Sequence, residues 1–448
     1  MKNKTFAIFL SVSVLVFGCK KPLDVELTQS IDVSDALKTN GDVQGALVGA
    51  YSDIGAADLY GGRVYLNTEL LGNTNEVRWT GTFQGLTQIF NKTIPVDNGF
   101  VTNTWLAGYR AINDANNVLS VLGLVNANQA NRVEGEAKFI RGTVYFDLVR
   151  LYGKAWNDGT PANNPGVPLI LTPTNLVTPA NNVARSSVAQ LYDQVIKDLT
   201  DAEAKLPVFN SIFATKNAAS AMLARVYLQK GDYVNALKAS DKIIASNIQS
   251  LNTVYGDEFP TNPNGPVALG NTKEDIFMIQ VNATQGVNDF HTFFSTTGRS
   301  DIKITNNHLG LYEAGDKRFD LFYNVNGRIF TGKFENAYGN VHISRLAEIY
   351  LIRSECNFRL GMTVGAPPVD DVNIIRNRAG LPSLLIVTLD NILKERKLEL
   401  AFEGFALHDA KRLQNNVGSL PYNSTKLIYP IPDREIRVNN KLVQNAGY

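Results

Sequence analysis

The stretch AASAMLARVYLQKGDYVNALKASDKII, residues 218–244, decides the fold class. Ala218, Ala221 and Ala224 leave one helical face small enough for a second helix to approach closely. Gly231-Asp232 makes a tight turn, and Ala236 and Ala239 lie on the returning helix. The segment is therefore an antiparallel helical hairpin whose apolar faces need neighbours to cover them.

The spacing Leu223, Tyr227, Gly231, Tyr233, Ala236 resembles a tetratricopeptide repeat, a helix pair of about 34 residues that is stable only when stacked on others. Further helices are available for that stack. Val43, Ala46, Leu47, Ala50, Tyr51 and Ile54 share one helical face, as do Trp105, Tyr109, Ile112, Asn116 and Leu119. Another helix covers 129–152. Ser187-x-x-Gln190 fits a capping box, opening a helix that carries Val188, Leu191, Tyr192, Val195, Ile196 and Leu199 and ends before Pro207. Helices over 344–361, 366–379 and 388–413 supply further pairs. Two regions lack this periodicity. Residues 61–102 are rich in Gly, Thr and Asn, and 247–340 carry many aromatics, with Ile276–Val281 as one short strand. The expected fold is mainly α, a helical repeat scaffold with irregular aromatic-rich insertions that form the working surface.

Composition narrows the function. The 448 residues are 44% hydrophobic and 19% charged, which is globular. A formal net charge of +1 provides no long-range attraction for nucleic acid. Two cysteines exclude a multi-cysteine metal or disulfide framework, and Cys356, in an apolar helical stretch, reads as a small buried hydrophobe. His291, His308, His342 and His408 lie too far apart for a two-histidine helical metal motif, and no EF-hand loop occurs. No cofactor or metal is expected. No G-x-S-x-G elbow, P-loop or G-x-G-x-x-G is present either.

The N-terminus reads as an address. Lys2 and Lys4 precede an apolar run from Phe6 to Phe17, too short to cross a bilayer. The run ends at Gly18-Cys19 and resembles a bacterial lipobox, with residues 1–18 as leader and Cys19 as the lipidated residue. Loss of the leader removes two lysines and brings the net charge from +1 to −1. Residues 19–40 form a tether.

The C-terminus carries the most specific signal. LIYPIPDREIRVNNKLVQNAGY (427–448) resembles the closing signature of the SusD/RagB family. EAKFIRGTVYFDLVRLYGKAW (136–156), RLAEIYLIRSECNFRLG (345–361), VNIIRNRAGL (372–381) and KERKLELAFEG (394–404) agree in the same order. One departure is Ala406-Leu407, where the family commonly has an arginine and an aromatic. The resemblance divides the chain into an N-terminal helical region (41–246), a ligand-facing insertion (247–343) and a C-terminal helical region (344–448). It implies an outer-membrane, cell-surface lipoprotein that captures glycans, or in some branches oligopeptides, for a SusC-like TonB-dependent transporter, without catalysis.

Sugar recognition needs flat apolar rings beside planar hydrogen-bonding groups. Trp79 with Asn73, Asn75 and Arg78 has that composition, and by family position lies in a region that often supplies a ligand-platform aromatic. In the second insertion Phe294, Tyr312 and Tyr323 are candidates among Phe290, Phe293 and Tyr338, with Arg299 and Asp301 as polar partners. Most of these rings are expected to form the insertion's own core, and Trp156 is expected to be structural. Glu395, Glu399 and Glu403 recur at i, i+4, i+8, a spacing that raises the alternative of a helical surface glycosidase. Interleaved Lys394, Arg396 and Lys397 make a solvated or ion-paired helix face the simpler reading. A periplasmic tetratricopeptide protein that binds only other proteins is the remaining alternative, and the large insertion argues against it.

Overall fold

The computed structural model describes residues 36–175, 178, 181–261, 268–284 and 286–448. The leader, Cys19 and most of the tether lie outside the described residues. The scaffold begins with α1 (Asn40–Ile54), held by a Thr39–Asp42 capping box, and buries Val43, Leu47, Ala50 and Ile54 as the spacing required. After α2 (Arg63–Leu71) and the short α3 (Gln84–Phe90) come α4 (Gly99–Ser120) and α5 (Ala127–Tyr152). From Phe139 to Tyr152, α5 buries every side chain, which puts it at the centre of the stack. It is flanked by α4 and by α6 (Val188–Lys205). The Ser187–Gln190 capping box is present, with Ser187 Oγ accepting from the Gln190 N–H at 3.2 Å.

The quoted hairpin forms α7 (Lys216–Lys230) and α8 (Tyr233–Ala245). Gly231 closes α7 at φ 75°, a left-handed conformation that costs glycine little, and Asp232 caps α8. The next helix to pack on α8 is α11 (Leu346–Leu360), followed by α12 (Pro368–Arg378) and α13 (Leu389–Glu399). The stack is thus completed across a hundred residues of intervening chain. Cys356 is fully buried within it.

Those intervening residues contain α9 (Asp289–Phe294), α10 (Asn306–Leu309) and most of the strands. β2 (Asp275–Ile279) pairs antiparallel with β6 (Val341–Arg345), which runs directly into α11. A four-stranded sheet has the order β1 (Val77–Trp79), β3 (Ile302–Ile304), β5 (Arg328–Thr331), β4 (Phe322–Val325). Val77 faces Ile304 in its register, so the sheet draws the first irregular region into the second. The region 61–102 is less irregular than its composition suggested, since it holds α2, β1 and α3.

The expected helix over 388–413 is broken. α13 stops at Glu399, and α14 (Ala406–Arg412) starts afresh. Between them Phe402 adopts φ 68° and Gly404 φ 91°, and a Cβ on Gly404 would lie 2.5 Å from Tyr65 Cβ. Glu69 Oε1 accepts the N–H groups of Gly404 (2.7 Å) and Ala406 (3.3 Å), so tertiary partners take the donors that a continuous helix would use. The Ala406 departure leaves Glu69 with backbone donors at this turn.

Of the two readings of the glutamate stripe, solvated or ion-paired, the ion-paired one holds, and the stripe is among the driest parts of the molecule. Glu395, Glu399 and Glu403 are 2%, 0% and 6% exposed. Glu403 lies in the turn, not on α13. Arg345 bonds Glu274 (2.9 Å), Glu399 (2.6 Å) and Glu403 (2.8 Å), while Arg318 bonds Asp316 (2.7 Å) and Glu395 (2.5 Å). Arg378 bridges Glu274 and Glu399. Burial alone would raise the Glu403 carboxyl, but the Arg345 and Lys333 charges outweigh it and hold it down to about 2. Glu399 is likewise held well below the usual range by Arg378, Arg345 and Arg318 against burial. Buried charges of this kind persist only when paired and hydrogen-bonded. The network ties β2, β6, α12 and α13 into one junction.

Candidate functional site

The sheet built by β1, β3, β5 and β4 holds several of the candidate residues, Arg78, Trp79 and Tyr323 among them. Strand alternation turns Val77 and Trp79 inward and Arg78 outward. Trp79 is 8% exposed; its indole Nε1 donates to Thr87 Oγ1 at 2.8 Å and its ring packs 5.9 Å from that of Phe293. The expected platform tryptophan is therefore a core ring beneath the surface. Gly81 crosses directly over it, and a Cβ there would sit 2.3 Å from Trp79 Cζ2. Two residues later Phe83 emerges 42% exposed.

Phe83 is the exposed ring of this rim. Its edge is braced by Phe100 (5.9 Å) and Phe293 (6.0 Å), and the Arg299 guanidinium lies 4.5 Å from its centroid. Arg299 Nε donates to Asp301 at 2.7 Å and Nη2 to Thr82 Oγ1 at 3.1 Å. The ring, guanidinium, carboxylate and hydroxyl thus lie together on a braced surface. Arg78 on β1 faces Lys303 on β3, and Arg328 follows on β5. Burial lowers the Lys303 ammonium, and the neighbouring Arg328 and Arg78 charges lower it further against Asp301.

The other expected residues have separate duties. Phe294 is 1% exposed and packs on Phe334 (5.1 Å) and Phe402 (5.7 Å); like Phe290 and Phe293 it is core. Tyr323 is half-buried, with its hydroxyl on Glu335 and 3.2 Å from Thr296 Oγ1, three residues along the chain from Arg299. It lines an open concavity of about 530 Å³ with Asp257, Asp320 and Glu335. Tyr312 bonds His308 Nε2 at 3.1 Å. Asn75, at φ 68°, lends its carbonyl to Thr305. Asn73 Oδ1 accepts the Glu76 (2.9 Å) and Val77 (3.0 Å) N–H groups and so shapes the turn into β1. Trp156 packs on Tyr192 at 5.0 Å, with the Lys230 ammonium 4.8 Å from its centroid, a structural position as expected.

A second concavity of about 450 Å³ lies between α2 and α13–α14, lined among others by Asn73, Glu76, His308, Lys397 and Phe402. There Glu76 meets His308 Nδ1 at 2.9 Å and also Lys397. Burial would raise the Glu76 carboxyl, but these two partners hold it down to about 2. Glu76, His308 and Lys397 are thus committed to one another, while Arg396 on the same lining has guanidinium nitrogens without a hydrogen bond among the described residues.

Residue type and family position point to Trp79, while the neighbouring ring that reaches solvent is Phe83. The signal that could have found it is Gly81, which marks where the chain must pass close over a bulky neighbour. Arg299 and Asp301, expected beside the rings of the second insertion, lie instead beside Phe83 of the first irregular region.

Residues 28–228 match a family described as starch-binding and associating with the outer membrane, and residues 330–423 match the SusD family. SusD-like protein P2 of Formosa agariphila is 24% identical, covering 98% of this chain and 99% of its own. A putative sugar-binding protein from Bacteroides vulgatus shares the fold with a TM-score of 0.82 at 25% identity, over 92% of this chain and 99% of its own. A laminarin-binding SusD-like protein does so at 0.75 and 23%, over 92% and 100%. With matches in both the N-terminal and C-terminal parts and a shared architecture along nine-tenths of its length, this chain belongs to the SusD/RagB family.

Proposed function

We propose that this chain is a non-catalytic glycan-binding lipoprotein, anchored at Cys19 on the outer surface of the outer membrane, that delivers its ligand to a SusC-like TonB-dependent transporter. The observation that carries the binding role is the exposed Phe83 ring with Arg299, Asp301 and Thr82 beside it. A ring covers the C–H face of a pyranose, and the guanidinium and carboxylate suit adjacent hydroxyls. Trp79 braces the Phe83 ring from beneath through Phe293, while Tyr323 lines the separate concavity beside Asp320 and Glu335. The lipobox motivates the anchor, and family membership motivates the transporter.

A hydrolase needs two carboxylates flanking a cleft that admits water and sugar. Glu395, Glu399 and Glu403 are buried and committed to arginine and lysine, which gives that reading no support. Oligopeptides remain the second ligand class, favoured by the cationic rim of Arg78, Lys303 and Arg328.

The test is calorimetric titration of the mature chain with oligosaccharides, laminarin-derived, neutral, uronate-bearing and sulfated, followed by chromatography of the sugar. Saturable binding with the sugar recovered intact is expected. Absence of binding to every saccharide contradicts the glycan reading, and cleavage products contradict the non-catalytic one.

A further inference from the structure

His342, Glu258 and Asp275 meet beside a small cavity at the junction of the insertion and the scaffold, far apart in sequence. One donor atom from each lies within 4.8 Å of the others. His342 Nδ1 is 3.1 Å from Asp275 Oδ1 and 3.3 Å from Glu258 Oε1. In a tetrahedral zinc site with bonds of about 2.0–2.1 Å, neighbouring ligand atoms stand about 3.3 Å apart.

The two carboxylates are already oriented for this task. Glu258 is fully buried, and its Oε2 accepts from Asn252 Nδ2 and Thr272 Oγ1, each at 2.6 Å. Among the described residues its Oε1 accepts no hydrogen bond, although a buried carboxylate oxygen ordinarily does. Asp275 Oδ2 accepts the Thr272 N–H at 2.6 Å, leaving Oδ1 towards His342. Each carboxylate is thus fixed through one oxygen and turns the other to His342 Nδ1, which Asp275 Oδ1 meets as a hydrogen bond at 3.1 Å, so an ion would replace that direct contact while the outer donors keep both carboxylates oriented. The His342 ring is set edge-on against Phe259 at 5.2 Å. A cavity of about 30 Å³ is lined by all three residues together with Asn336 and Asn340. That volume holds about one water, enough for a fourth ligand. Lys333, a cation on the same cavity, is neutralised by Glu403 at 2.7 Å and donates to the Glu399 and Ala401 carbonyls.

We propose that Glu258, Asp275 and His342 bind one divalent first-row transition ion, for which zinc is the probe, as a structural staple. The donor set selects the class: imidazole with two carboxylates suits zinc and its neighbours, whereas calcium takes six to eight oxygens. As the ion enters, any imidazole proton leaves to solvent, and the ion neutralises the two carboxylates. It joins the turn at Glu258 to β2 and β6, and β6 leads at once into Arg345 and α11.

The mature chain is freed of metal by chelation and titrated with zinc against a chromophoric chelator. One ion per chain is expected, with a higher melting temperature than in EDTA. His342→Gln removes a ligand itself and should weaken binding by more than the roughly 10- to 100-fold that loss of an outer partner costs. Undiminished binding by a folded His342→Gln chain, or no stoichiometric binding by the wild type, overturns the proposal. If that variant does not fold, X-ray absorption of the zinc-loaded wild type decides. One imidazole nitrogen with carboxylate oxygens at about 2.0 Å supports the site, and a shell without imidazole overturns it.

Discussion

The junction around Arg345 and the rim around Phe83 use the same residue types to opposite ends. Both combine arginine, carboxylate and phenylalanine. At the junction Arg345 is 1% exposed, bonded to three glutamates, and lies 5.8 Å from the Phe259 ring. At the rim Arg299 is exposed, holds one aspartate, and sits over a ring that is 42% open to solvent. Burial decides the difference. A dry guanidinium must be saturated and then serves to lock elements together, while a wet one keeps donors for a ligand. Residue type alone therefore assigns neither role.

The contrast breaks most visibly by removing its buried half. Arg345→Met leaves Glu274, Glu399 and Glu403 facing one another, with a loss of about 3–5 kcal/mol expected in denaturant unfolding. Arg299→Met should cost less, about 1–3 kcal/mol, because the guanidinium itself reaches solvent and a single buried carboxylate, Asp301, loses a partner. Equal costs would remove the distinction.

Acid tests the same half without mutation. Glu403 titrates at about 2 in the folded state and near 4.3 unfolded, so its contribution is complete above the unfolded value. That contribution drains away as pH falls from about 4.3 towards 2. Glu69 has the opposite sign. Burial raises it to about 7, only partly offset by the Ala406 and Gly404 N–H groups. The folded chain therefore holds a proton there that the unfolded chain has lost, and stability declines as pH rises from about 4.3 to 7, by up to about 1.4 kcal/mol per pH unit. In pH-dependent unfolding, Glu69→Gln should remove this upper slope and leave the acid limb intact.

The exposed half is sharpened by Phe83→Ala. Loss of the ring should weaken oligosaccharide binding about tenfold or more, with the melting temperature nearly unchanged. Trp79→Phe should do the reverse on a smaller scale. It removes the indole donor from Thr87 Oγ1, which keeps its own bond to the Phe83 carbonyl, and costs about 1 kcal/mol of stability, while affinity changes little.

The helical stack was legible because its signals are local. Ala218 to Ile244 fix a hairpin by spacing and one glycine, and Ser187 announces its helix. The break after Glu399 was not legible. Leu398-Glu399-Leu400-Ala401-Phe402 reads as helix until Glu69 and Lys333, distant in sequence, take its backbone groups. The rim was half legible for the same reason. Arg299 and Asp301 were chosen by composition, but whether Trp79 or Phe83 reaches solvent depends on β1 pairing with β3, a contact across more than two hundred residues. Glu258, Asp275 and His342 form no motif in sequence, and the pairing of β2 with β6 brings Asp275 and His342 together.

Hydrogen exchange of the mature chain, with and without a saturating oligosaccharide, tests the central claim most directly. The account predicts new protection in the segments containing Phe83 and Arg299, about 80–84 and 296–301, with no change at Arg345 or in α13. Protection confined to the concavity beside Lys397 and Phe402, or none at saturation, would contradict it.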